Sequence, residues 1–242
     1  MAEFDYKKKA IELIQGRNLF LIEREQREMT GAGELFMALG NELTRGRFIV
    51  NDNNRFVYKN CLAWLFAQPF ECLDPDNKDA TIQGDATKGL YIAGGCGTGK
   101  SLLLRILAAI GKEYGLKIKA GRKDIPLVWG ENRADDICNS VIFSGIEPVA
   151  RMRDADILNI NDFGSGSAEQ VYMGNRINAV RLIMESRADA YGRLTLITSN
   201  FPIGHEVIKE QFGDRVISRL REMCNYFELK GNDFRNPKNQ SK

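Results

Sequence analysis

The run Gly94-Gly95-Cys96-Gly97-Thr98-Gly99-Lys100-Ser101 has the spacing G-x-x-x-x-G-K-S, a pattern built to hold phosphate. Glycines let the chain curl so that successive backbone N–H groups converge on phosphate oxygens, and a helix starting behind them adds its positive end. Gly94, Gly95, Cys96, Gly97, Thr98, Gly99 and Leu102 are therefore expected to cradle a nucleotide. Lys100 is expected to reach the β- and γ-phosphates, and Ser101 to ligate Mg²⁺. ATP with Mg²⁺ is the expected cofactor. A glycine-rich turn that merely joins a strand to a helix is the plainer reading. The apolar strand before the motif and the apolar helix after it favour phosphate.

Such a loop needs a carboxylate at the end of a neighbouring strand to support the metal, and often a second to polarise the attacking water. The segment DADILNINDFG supplies the candidate pair, with Asn161 and Asp162 at the end of a strand over Ile157–Asn161. Where two acids would be usual, the first position is the uncharged Asn161. Losing a charge-assisted contact costs about 1.5–3 kcal/mol, so hydrolysis is expected to be weak or partner-dependent. Alternatively, Asp162 itself holds the metal and no separate base exists. A third apolar strand, in RLTLITSNFP, ends at Ser199-Asn200, where Asn200 could orient the attacking water. On the helix that follows, Arg215 and Arg219 stand at i, i+4 on one face. Guanidinium groups suit γ-phosphate recognition, including from a neighbouring subunit. By spacing alone they also fit a solvated helix face.

Those residues need a scaffold, and the chain alternates in the way that builds one. Strands are expected at Gly89–Ala93, Leu116–Ala120, Ile157–Asn161, Leu194–Thr198 and Asn225–Leu229. Helices are expected at Lys100–Tyr114, Arg133–Ser140, Ala168–Ala190 and Asp214–Met223, with an aromatic helix over Asn54–Phe66. Strands separated by helices imply an α/β fold with a parallel sheet covered on both faces. Residues 1–50 read as a helical N-terminal segment capping the core or docking a partner, residues 51–235 as the core, and residues 236–242 as a tail.

Composition narrows the classes. Of 242 residues, 43% are hydrophobic and 27% charged, with a net charge of +2; this is an ordinary globular balance, not a generic polycation. The first thirty residues hold six basic and six acidic side chains, so no basic arm is indicated. No apolar run has membrane-spanning length, and the N-terminus turns charged before a secretory signal could form. Five cysteines without a C-x-x-C pair fit reduced thiols in a cytosol rather than a disulfide or zinc framework. His205 reads as a surface or capping residue. Trp64 and Trp129 read as core, while Phe56 and Tyr58 could pack against adenine.

With these segments in order, the chain resembles the DnaC/IstB-type AAA+ ATPases, a group of bacterial and phage replicative-helicase loaders and transposase helper ATPases. The resemblance spans about Arg55 to Arg235. It rests on GGCGTGKS, ILNINDFG, LTLITSN and GDRVISRL, and it implies a sheet in the order 5-1-4-3-2. It also implies ATP-dependent self-association with a nucleotide site shared between subunits. It makes Asn200 the first sensor, Arg219 the leading arginine finger with Arg215 beside it, and Arg235 similar to a second sensor. Only 11 residues follow Gly231, so the helical lid of many relatives is expected to be missing. The implied partners are a replicative helicase, gripped by the N-terminal segment, and single-stranded DNA on the core. A transposition helper acting on duplex DNA and a nucleotide-gated binding module with little hydrolysis are the competing expectations.

Overall fold

Alternation of side-chain type builds the sheet that carries the site. The computed structural model describes residues 22–77, 79–165, 170–172, 175–190, 192–231 and 233–234. Along the strand Gly89–Gly94, Leu90 and Ile92 enter one hydrophobic cluster while Tyr91 and Ala93 enter the other. This period of two is what a strand buried on both faces requires.

In chain order the strands are β1 (Ile22–Glu23), β2 (Glu71–Leu73), β3 (Thr81–Gln83), β4 (Gly89–Gly94), β5 (Lys117–Ala120), β6 (Lys123–Pro126), β7 (Ile157–Phe163), β8 (Gln170–Tyr172), β9 (Asn175–Ile177), β10 (Leu194–Ser199) and β11 (Cys224–Leu229). The described residues form seven helices: α1 (Ala32–Thr44), α2 (Asp52–Leu65), α3 (Lys100–Glu113), α4 (Ala134–Ser144), α5 (Glu147–Asp154), α6 (Ala179–Ala188) and α7 (Glu206–Met223). The main sheet is mixed, in the order β3-β2-β11-β4-β10-β7. Its four longest strands, β11, β4, β10 and β7, run parallel, and β2 and β3 extend it antiparallel.

Two expectations are corrected here. The strand expected at Leu116–Ala120 forms as β5 but does not join the main sheet; it pairs antiparallel with β1 and β6 in a separate three-stranded sheet. The edge beside β7 is held instead by a single parallel bridge, Arg133 to Asn161. The expected order 5-1-4-3-2 is thus met only over its first four positions. In addition, the long helix expected over Ala168–Ala190 is shorter, because β8 and β9 pair before α6 begins. Val171, Tyr172 and Ile177 are β-branched or aromatic types that favour extended chain.

Local chemistry fixes the helix starts. Asn51 caps α2 through its side chain, and the Asn54 side chain answers by accepting from the Asn51 N–H at 2.9 Å. The helix then buries Trp64, whose indole N–H donates to the Lys88 carbonyl at 2.8 Å. Arg24 lies over the Trp64 ring and donates to the carbonyls of Ala86, Trp64 and Leu65, which ties the entering chain to the core. Burial holds this guanidinium's pKa down to about 10. Ala32 and Phe36 of α1 enter the same hydrophobic cluster as α2 and α3. Close packing has a cost in freedom: a Cβ at Gly89 would stand 1.8 Å from the Thr195 carbonyl oxygen, so only glycine lets β4 approach β10 this closely.

On the opposite face, Arg187 is 1% exposed yet donates to five acceptors: Thr195 Oγ1 and the carbonyls of Met152, Arg153, Ala155 and Leu194. Desolvation lowers its pKa to about 9, so it stays charged at neutral pH while joining α5, α6 and β10.

Candidate nucleotide site

The loop between β4 and α3 begins the site. Gly99 at the helix N-cap has φ +97 and offers no side-chain cap, so the first N–H groups of α3 face outward with the positive helix end behind them. Lys100 is 6% exposed and turns back over the loop. Its ammonium donates to the carbonyls of Gly94 and Gly95 at 2.7 Å each and to Asn200 Oδ1 at 2.9 Å. Thr98 is buried and its hydroxyl donates to the Gly95 carbonyl at 2.9 Å. Gly97, at φ +72, lies so close to Asp233 that an added Cβ would meet Oδ1 at 1.7 Å, and its carbonyl accepts from the Phe234 N–H at 3.2 Å.

Around this loop opens a cleft of about 620 Å³. Cys96, Gly97, Gly99, Lys100, Ser101 and Leu102 form its floor, and Asp162, Ser165 and Asn200 line one side. Leu43, Phe48, Ile49 and Tyr58 form an apolar wall, with Tyr58 stacked on Phe48 at 5.6 Å between centroids. Burial pushes the Tyr58 phenol up to about 12, so the wall is neutral. Charge in the cleft is mainly positive: Arg47, Lys100, Arg105 and Arg133 line it, against Asp162. Arg105 forms a two-pronged pair with Glu131 at 2.7 and 3.0 Å, and these hydrogen bonds hold the Glu131 carboxyl below its usual range.

The two residues ahead of Phe163, the last of β7, part company. Asp162, with φ +58, faces the cleft and lies 3.4 Å from the Arg133 guanidinium. Asn161 is 4% exposed, and its Oδ1 accepts from the Thr198 hydroxyl at 3.0 Å within the sheet. Thr198 Oγ1 also accepts from the Asp162 N–H at 3.3 Å, so one β10 hydroxyl positions both residues. Asn200, one strand over, bridges Lys100 to the Ser165 hydroxyl, the latter at 3.5 Å.

Among solved structures, the chain is similar to a candidate primosome component from Streptococcus pyogenes serotype M3, at 18% sequence identity over 75% of this chain and 81% of that one, with a TM-score of 0.51. The two chains share their fold. Similarity also extends to the DnaC helicase loader, at 16% identity over 75% and 92% of the two chains and a TM-score of 0.48. A DnaA replication initiator bound to AMPPCP and single-stranded DNA matches at 17% identity over 76% and 49%, with a TM-score of 0.49. No protein-family profile and no curated protein sequence matches the chain.

Within this fold, the loop residues from Gly94 to Leu102, with Asp162 and Asn200, come together, and Asn161 stands behind them. Arg215 and Arg219 do not line the cleft of their own chain; both converge on Asp189, at 3.6 and 2.9 Å. Arg235 lies outside the described residues, as does the N-terminal stretch 1–21. Phe56 corrects an expectation: it packs towards Phe227 at 6.4 Å rather than on the cleft wall. His205 caps α7, accepting from the Val207 N–H at 3.2 Å. Trp64 and Trp129 meet edge-on at 6.3 Å and serve the core.

Sequence reading missed Arg133, Thr198 and the Leu43–Phe48–Ile49 wall. The extended position at Arg133 amounts to one bridge, too short for any periodicity. Thr198 reads as an ordinary β-branched strand residue, and the wall comes from a segment far ahead of the motif.

No helix among the described residues is long and apolar enough to cross a membrane. Nor do the described residues contain a cluster of three or more His, Cys, Asp or Glu that could hold a metal. The oxygen donors that do line the cleft, Ser101 and Asp162, are of the kind and number Mg²⁺ takes, its shell being completed by phosphate and water.

Proposed function

We propose that the protein is an ATP-dependent helicase loader of DNA replication: a nucleotide switch that self-associates, binds single-stranded DNA and delivers a replicative helicase. The observation that carries the ATPase reading is the cleft, in which the loop lysine joins Gly94 and Gly95 to Asn200 while Ser101 and Asp162 line the same cavity. Ser101 and Asp162 would hold Mg²⁺, which when bound neutralises phosphate charge. Lys100 would leave the loop carbonyls for the β- and γ-phosphates, Asn200 would orient the attacking water, and Leu43, Phe48 and Tyr58 would receive the base. The inward-facing Asn161 favours Asp162 as the metal carboxylate over a paired arrangement. Arg219 and Arg215, turned away from their own cleft, would serve a neighbour's nucleotide, with Arg235 as a further phosphate contact.

The loader assignment rests on the four ordered motif segments and their resemblance to helicase loaders. In that reading residues 1–50 dock the helicase, residues 51–235 form the ATPase core, residues 236–242 are a tail, and the protein works in a bacterial cytosol.

The test is ATP binding and phosphate release by the full chain, with and without Mg²⁺, single-stranded DNA and duplex DNA. Mg²⁺-dependent turnover stimulated by single strands, in a strongly salt-dependent manner, is expected. Stimulation by duplex alone would overturn the loader reading in favour of a transposition helper. Failure to bind ATP would overturn both.

A further inference from the structure

We infer that Arg133 reads the terminal phosphate of a bound triphosphate from within the same chain, and so sets the preference of this site for ATP over ADP. The inference rests on the nucleotide reading above and adds a residue that no motif of the chain marks.

Position comes first. Arg133 forms the parallel bridge to Asn161; beside it, the Asn161 N–H donates to the Asn132 carbonyl at 2.7 Å, and the Asn132 side chain donates to the Asn159 carbonyl at 3.1 Å. The backbone under Arg133 is therefore fixed to β7. Its side chain is 59% exposed and lines the cleft, so a long, hinged cation stands on a rigid base.

Distance selects which phosphate it can meet. Between β4, which feeds the phosphate loop, and the Arg133 bridge lie β10 and β7, three inter-strand steps or about 14 Å at roughly 4.8 Å each. Lys100 spans from the loop to Asn200 on the β10 side. From the far side, Arg133 reaches Asp162. Phosphates seated against the loop amides lie nearer Lys100, and the space between Lys100 and Arg133 belongs to the phosphate farthest from the loop.

Partner exchange is easy here. The Arg133–Asp162 contact is 3.4 Å, longer than a tight charge-assisted hydrogen bond of about 2.7–2.9 Å, and half-exposed. Arg105, by contrast, is already matched by both oxygens of Glu131. Were Asp162 to hold Mg²⁺, as proposed above, Arg133 would face a phosphate whose geometry its planar fork suits.

The experiment measures dissociation constants for ADP and for an ATP analogue with a non-hydrolysable β–γ bridge, in wild type, Arg133→Ala, Arg133→Gln and Arg133→Lys, with melting curves as a folding check. Arg133→Ala and Arg133→Gln should each weaken the triphosphate roughly tenfold or more, the loss of one charge-assisted contact, and leave ADP within about twofold. Arg133→Lys should recover part of the difference. Should Arg133→Ala misfold, the glutamine variant, which keeps a polar side chain but is shorter and uncharged, carries the comparison. Equal weakening of both nucleotides, or of neither, overturns the inference. A wild type that binds neither nucleotide overturns the phosphate-site reading itself, and this one with it.

Discussion

The Lys100 ammonium stands 2.9 Å from the Asn200 side-chain oxygen, so the glycine-rich loop and the end of β10 are joined directly. In the proposed function a phosphate held by Lys100 would compete for this contact, which would make Asn200 sensitive to whether the loop is filled. Lys100→Ala should abolish ATP binding in a fluorescent-nucleotide titration. Asn200→Ala should leave affinity within about threefold while lowering turnover about tenfold or more, as removal of one positioned hydrogen-bonding group does. Equal loss of affinity in both variants would show Asn200 to be a binding residue only.

Asp162 and Asn161 should respond in opposite ways. Asp162→Asn is expected to remove Mg²⁺-dependent turnover. Asn161→Asp is expected to leave turnover within about twofold and to lower the melting temperature, since it buries a carboxylate in the sheet. A severalfold acceleration by Asn161→Asp would instead mean that the β7 end re-orients and that the missing charge mutes the native site.

Gly97 is held at φ +72 against Asp233. Gly97→Ala adds about 1–2 kcal/mol of backbone strain in the left-handed region and drives a methyl group into that carboxylate. Weaker ATP binding is expected, together with a melting temperature lowered by several degrees; unchanged affinity would mean that the 233–234 segment moves aside without disturbing the loop.

Arg187 should prove a structural cation. Arg187→Met keeps volume but leaves the carbonyls of α5 and β10 without their donor, costing about 3 kcal/mol. In a domain of this size that corresponds to roughly 6–12 °C in Tm. A loss under about 1 kcal/mol in urea unfolding would show that water replaces the guanidinium, and nucleotide affinity serves as the control expected to hold.

Arg219 offers a test of assembly. If it completes a neighbour's site, Arg219→Ala alone and Lys100→Ala alone should each be inactive. A mixture should regain part of the turnover, because some interfaces pair an intact loop with an intact arginine. Absence of recovery in mixed oligomers would leave Arg219 a structural cation, paired with Asp189 and Glu222.

The order of chemistry along this chain is a property of its sequence. The glycine-rich turn between β4 and α3, the apolar strands that carry Asp162 and lead to Asn200, and the capping role of His205 were all legible there. Each depends on neighbours within a few residues: a glycine pattern, an apolar period of two, a polar residue at a strand end. What the tertiary structure alone decided depends on contacts between distant segments. Only packing could turn Asn161 towards Thr198 and leave Asp162 in the cleft, since a strand's two faces are equivalent until neighbours bury one of them. Only sheet pairing could send Lys117–Ala120 to β1 and β6, because the pattern that predicts a strand does not say which edge it will join. For the same reason Arg133, resting on one bridge and 29 residues before the acid it meets, carried no local signal at all.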